Sequence, residues 1–138
     1  DPTVIDGAVS AGEKFIKVHD GNVLTKFLGN SNANTNKITM NWIAPVPTVS
    51  NSYTMTSAND AQARDPQAWR VEGSIDGVNW IILDTRQDEV FESRFQTKVY
   101  DFDNTVPYKY YRVIILQNRG DGLFQMAEWT MNFRQLYN

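Results

Sequence analysis

The stretch from Tyr53 to Trp80, YTMTSANDAQARDPQAWRVEGSIDGVNW, constrains the fold more than any other part of the chain. Tyr53, Met55 and Ser57 alternate with threonines, the period-2 pattern of a half-buried strand. A polar loop follows from Ala58 to Pro66, carrying Asn59, Asp60, Arg64 and Asp65. Trp69, Val71 and Gly73 then alternate with Arg70, Glu72 and Ser74, which predicts a second strand. Asp76-Gly77 offers the left-handed turn conformations that a hairpin needs, and Trp80 to Leu83 is the returning strand.

The rest of the chain repeats this rhythm. Asp1 to Gly12 is small, polar and turn-rich, and Phe15, Ile16 and Val18 form a short apolar group. Gly29 to Lys37, GNSNANTNK, reads as an exposed loop. Ile38, Met40 and Trp42 alternate with Thr39 and Asn41; that alternation puts Trp42 in the core rather than on the surface. Pro45 and Pro47 break the strand. Gln96 to Phe102 is a weaker strand, and YKYYRVIIL from Tyr108 to Leu116 is the strongest, with Tyr111, Val113 and Ile115 inward. Phe124 to Phe133 is the last, with Ala127, Trp129, Met131 and Phe133 on one face. Asp84 to Ser93 reads as a polar connection whose ends are anchored by Phe91 and Phe95. Short strands, frequent turns and no amphipathic helix predict an all-β protein, an antiparallel β-sandwich of about eight strands. The 138 residues suit a single domain, residues 1–138. Its expected core is aromatic: Trp42, Tyr53, Trp69, Trp80, Tyr111 and Trp129.

Composition excludes several functions. A net charge of −3, with Lys and Arg scattered, argues against nucleic acid and against an anionic lipid surface. There is no cysteine and one histidine, His19, so cysteine catalysis and most zinc sites are removed. No GxSxG elbow and no phosphate-cradling glycine loop is present. Asp84, Asp88, Glu89 and Glu92 have the composition of a glycosidase carboxylate pair, but Arg86 and Arg94 are interspersed, as on a self-compensating surface. Catalysis is not expected. Asp20, Asn22 and Thr25 place oxygen ligands within six residues, with Gly21 for the bend, as a calcium loop or as an Asx turn. Arg64 and Asn59 offer hydrogen-bond donors and acceptors to a ligand; equally, Asp60, Arg64 and Asp65 could form a local network that shapes their own loop.

The motif SANDAQARDPQAW followed by RVEGSIDGVNWIILDTR resembles the discoidin domains. These are also called coagulation-factor type C domains and are similar to carbohydrate-binding module family 32. DGNVLTKF from Asp20, the YKYYRV strand and FQMAEW near the end resemble further segments of that family, so the likeness runs from about Val18 to Phe133. It implies a jelly roll. It implies structural calcium, held by Asp20, Asn22 and Thr25 with the Ala127 carbonyl and Glu128; the alternative for Glu128 is an outward carboxylate on an edge strand. It also implies a non-catalytic glycan-binding module of a secreted or surface protein, extracellular or periplasmic, excised from a larger chain and tethered to a catalytic domain. The variant it most resembles is appended to bacterial glycan-utilising enzymes. Sugars in that family lie on loops at one end of the sandwich. By position, the contacts here are Asn59, Arg64, Arg119 and Phe124, with core packing the alternative for Phe124. The family's usual loop histidine has no counterpart after Thr25, so galactose is not specified. A protein-protein or adhesion module, or a structural spacer, would use the same fold. A lipid-binding relative would need apolar loop spikes flanked by basic residues, and these loops are rich in Asn, Asp and Gly instead.

Overall fold

The structure is a computed structural model that describes residues 3–5, 27–30, 38–121 and 123–133. Ten strands form among these residues, and no α-helix. Strands β1 (Thr3–Ile5), β3 (Thr39–Thr48), β5 (Pro66–Ser74), β6 (Ile81–Arg86) and β8 (Tyr108–Asn118) make a five-stranded sheet in the order β1-β3-β8-β5-β6. Strands β4 (Ser50–Thr56), β7 (Thr97–Asp101) and β10 (Glu128–Phe133) make a three-stranded sheet in the order β10-β4-β7. Strand β2 (Phe27–Asn30) pairs with β9 (Leu123–Met126), and every pairing is antiparallel. This is the expected all-β sandwich.

The alternation that predicts the strands also builds the core. Met40, Trp69, Val71, Tyr111, Val113 and Ile115 come from the larger sheet, and Tyr53, Met55, Tyr100, Trp129 and Met131 from the smaller. The polar ends of Trp69 and Tyr53 are satisfied. Trp69 Nε1 donates to the Tyr53 hydroxyl at 2.8 Å, and that hydroxyl donates to Asp84 Oδ2 at 2.7 Å. Burial, then the bond to Asp84, pushes the Tyr53 phenol well above its usual range. Gly73 is required where β5 passes under Tyr108. A Cβ there would lie 2.7 Å from that ring and 2.9 Å from Leu83. Gly77, at φ 77°, makes the left-handed bend of the β5–β6 loop. Asp76 Oδ1 holds that loop by accepting from the amides of Val78 and Asn79.

Several expectations are corrected. Trp80 is half-buried and outside the core. The Arg112 guanidinium stacks 3.9 Å from its ring centroid, and Arg112 alternates with the core-facing Tyr111 and Val113. Trp80 therefore lies on the outer side of the sheet, in a shallow cleft with Gly77 and Tyr110. Trp42 is half-buried but packs against the core as expected, edge-on to Trp129 at 5.8 Å. Gly29 and Asn30 belong to β2 rather than to a loop, and Asp84 to Arg86 belong to β6. The last segment is two strands rather than one. The chain breaks at Ala127, whose amide donates to the Thr56 carbonyl, and passes from the pairing with β2 to the pairing with β4. Phe91 is buried as an anchor, but Phe95 is not.

Candidate functional site

The polar segments after β4, between β6 and β7, and between β8 and β9 meet at one end of the sandwich. Their backbones are tied directly. Ser57 N donates to Gln96 O at 2.9 Å, Phe95 N to Ala58 O at 3.3 Å, Arg119 N to Asp65 O at 3.1 Å and Asp121 N to Ala63 O at 3.1 Å. Loops bound to one another in this way present a preformed surface, which lowers the ordering cost of a ligand.

Asp65 is the clamp. Its side chain is fully buried, and both carboxylate oxygens accept from Arg94, at 2.9 and 2.5 Å. Arg94 also donates to the carbonyls of Asp60 and Phe91. Burial pushes the Asp65 carboxyl above its usual value, while the bonds from Arg94 and its charge oppose that rise. The Asp65 bond is in turn the main reason that the Arg94 guanidinium is raised. Below Asp60, the buried Gln125 amide donates to the Asp60 carbonyl. The expected local network of Asp60, Arg64 and Asp65 is thus not what forms. Asp65 pairs with a residue 29 positions away, and Arg64 faces Asp121 at 3.5 Å.

The expected sugar contacts are partly assembled. Asn59 and Arg119 are exposed, and Arg64 is half-buried against Asp121. Arg119 joins the segment that carries Arg64 through the amide bond to Asp65. Phe124 is corrected: it is fully buried in the core cluster and has no face for a sugar to stack on. Of the expected calcium ligands, Asp20, Asn22 and Thr25 lie outside the described residues. Ala127 is buried, and Glu128 is half-buried opposite Thr56 in β10. Among the described residues no group of three or more His, Cys, Asp and Glu side chains could hold a metal.

The acidic connection does not form a carboxylate pair over a cleft. Asp84 accepts from Tyr53 and from Arg86 at 2.9 Å, and Glu89 accepts from Lys98 and from the Tyr100 hydroxyl, both at 3.0 Å. Asp84 and Glu89 are each committed to a cation and a phenol. Sequence reasoning missed Arg94 and Gln125, the braces of this surface, because no periodicity links them to the loop they hold. Of the two phenylalanines expected to anchor the ends of this connection, only Phe91 is buried. Phe95 is 40% exposed and stands at φ 57°.

A five-stranded and a three-stranded antiparallel sheet, the β2–β9 pair, and braced polar loops at one end define the class: the jelly-roll fold of discoidin, or F5/8 type C, domains and of family 32 carbohydrate-binding modules. Among solved structures, the F5/8 type C domain of a Bacteroides fragilis protein superposes with a TM-score of 0.78 at 14% identity, over 98% of this chain and 93% of that one. The family 32 module of Clostridium perfringens NanJ, solved in complex with galactose, superposes with a TM-score of 0.71 at 14% identity, over 94% and 92%. At such identities the likeness is one of fold. No family model matches the sequence. A peptide-N(4)-(N-acetyl-beta-glucosaminyl)asparagine amidase of Arabidopsis thaliana is 52% identical over 50 residues, which is 36% of this chain and only 7% of that protein.

Proposed function

We propose that the chain is a non-catalytic glycan-binding module whose sugar site is the braced loop face. The observation that carries this reading is the set of backbone ties and the buried Asp65–Arg94 pair, which hold polar Asn59, Arg64 and Arg119 on one preformed surface. Vicinal hydroxyls need such fixed donors and acceptors, because a mobile side chain loses entropy with each bond it makes. The galactose-bound NanJ module, of the same fold, supports it. So does the local match to an amidase named for a glycan–asparagine linkage; a module of this kind, tethered to a catalytic domain in a longer protein, would hold glycan near that domain.

Structural calcium, bound by Asp20, Asn22, Thr25, the Ala127 carbonyl and Glu128, is part of this proposal. It is supported by β2–β9 pairing: Phe27, two residues after Thr25, lies opposite Met126, the residue before Ala127. Oxygen ligands of this kind suit a hard cation. Calcium at about a hundred times its dissociation constant is expected to stabilise the fold by about 2.7 kcal/mol. Melting the protein in calcium and then in chelator tests this, and identical curves would remove the ion. An extracellular, surface or periplasmic location follows from the same reading, and fractionation of cells expressing the full-length protein tests it. The glycan reading itself is tested on a panel of immobilised terminal pyranosides, including galactose and N-acetylglucosamine.

A further inference from the structure

The end of the sandwich opposite the loop face is apolar. Nine large hydrophobic side chains are exposed among the described residues, and six of them are Ile43, Val46, Ile75, Val78, Ile81 and Val106. All six lie on the β3–β4, β5–β6 and β7–β8 connections or on strand residues next to them. The loop face has one, Phe95. Single exposed apolar groups are ordinary, but six gathered at one end mark a surface that a partner covers.

That end carries a knob and a cleft. Ile43 pairs with Tyr110 and Thr48 with Tyr108, so Ala44 to Pro47 stand opposite the single residue Lys109. Pro45 and Pro47 lack the N–H that a ladder needs, and they hold Ala44 and Val46 extended. The knob is fixed at its base. The Tyr111 hydroxyl donates to the Thr48 carbonyl at 2.6 Å, and the Thr48 hydroxyl donates to the Val46 carbonyl at 2.8 Å. Pro45, Val46 and Pro47 are nonetheless exposed, Val46 by 62%. Beside the knob lies the cleft of Trp80 and Tyr110, lined also by Gly77 and Ile43. Arg112 braces the indole and is itself held by Glu72 at 2.7 Å. The cleft volume is about 130 Å³, well under the roughly 300 Å³ at which small-molecule pockets begin, and suits one or two small side chains. Aromatic grooves take extended proline segments, which lose little freedom on docking.

Both parts belong to one chain, and Ile43 lines the cleft as well as the groove beside Pro45 and Lys109. Complementary parts that adjoin in this way permit a two-fold interface in which each copy gives its knob and receives the other's. Charge agrees with it. Lys109 lies at the knob, and Asp76 precedes Gly77 at the cleft, so reciprocal docking brings Lys109 towards Asp76 of the partner subunit. The amides of Asn79 and Val78 hold the Asp76 carboxyl well below its usual range, which keeps it charged. Asp76 and Asp103, both exposed here, disfavour an anionic lipid surface as the occupant.

We propose that Pro45, Val46 and Pro47 of one copy dock in the Trp80–Tyr110 cleft of a second copy, reciprocally, forming a two-fold dimer. The dimer leaves both loop faces uncovered and does not depend on the glycan reading. Sedimentation from about 1 µM to about 1 mM protein tests it. The parent is expected to pass from monomer to dimer as concentration rises. Val46→Asp would carry a charge into the cleft, and is expected to weaken self-association by about tenfold or more at an unchanged melting temperature. Lys109→Glu sets like charges opposite each other and is expected to weaken it by about threefold or more. Either variant dimerising as tightly as the parent overturns the proposal. A parent that stays monomeric throughout overturns it too, even one that captures an added proline-rich peptide, because the cleft then serves another chain.

Discussion

At the scale of single residues, the loop face depends on a buried charge that is neutralised from far along the chain. Arg94→Ala leaves the Asp65 carboxylate buried without its partner, a change that costs about 3 kcal/mol at neutral pH. The pH dependence follows from the direction of the shift. Burial already raises the folded-state value of Asp65 above its unfolded value, and loss of Arg94 raises it further. A carboxyl raised in this way favours the fold when protonated, and that contribution is lost as pH rises through the folded value. The variant's deficit is therefore expected to be largest at pH 7 and to shrink towards pH about 4, the ordinary carboxyl range. Paired denaturant melts across that interval check it; a deficit that grows on acidification would reverse the sign. Tyr53→Phe removes the acceptor for Trp69 Nε1 and one donor to Asp84, for an expected loss of about 1–3 kcal/mol. A urea titration reads it directly. Neither pairing is visible in the sequence. Asp65 and Arg94 are 29 positions apart, Tyr53 and Asp84 are 31 apart, and no local pattern joins them.

Elements were far more legible than partners. The alternations at Tyr53 and Met55, at Trp69 and Val71, and at Tyr111, Val113 and Ile115 identify both strands and inward faces, and all of these side chains are buried. The pattern failed where a strand stops or changes sheet. Trp80 precedes β6 at the end of a turn, so its place was decided by stacking with Arg112, 32 positions away in sequence, rather than by strand periodicity. In the sequence Phe124 opens one long strand, with sugar contact and core packing both open to it. The break at Ala127 makes β9 a separate element, buried at Phe124, Gln125 and Met126 alike. Gly73 was legible only as part of a strand pattern, and its reason is spatial. Gly73→Ala is expected to force Tyr108 or Leu83 aside at a cost of about 1–3 kcal/mol. Thermal unfolding should show it, and an alanine variant as stable as the parent would mean that the ring has room to move.

At the scale of the whole molecule, the sandwich is a rigid frame with chemically different ends. The end that carries the β5–β6 loop is closed by Asp76 and Gly77 and by the stacking of Arg112 on Trp80. The opposite end gathers polar loops and ties them backbone to backbone. That asymmetry suits a binding module: one closed end, and one end where loops anchored from beneath leave polar groups exposed. Arg119 meets this description. It is exposed at the loop face, and its guanidinium touches only the Glu89 carbonyl at 3.5 Å among the described contacts. The most direct test is quantitative binding of the parent and Arg119→Ala to the pyranoside panel, with melting curves recorded on the same samples. The account predicts that the parent binds terminal pyranosides and that Arg119→Ala loses about tenfold or more in affinity at an unchanged melting temperature. A parent that binds no pyranoside, or an Arg119→Ala variant that binds as well as the parent, would contradict it.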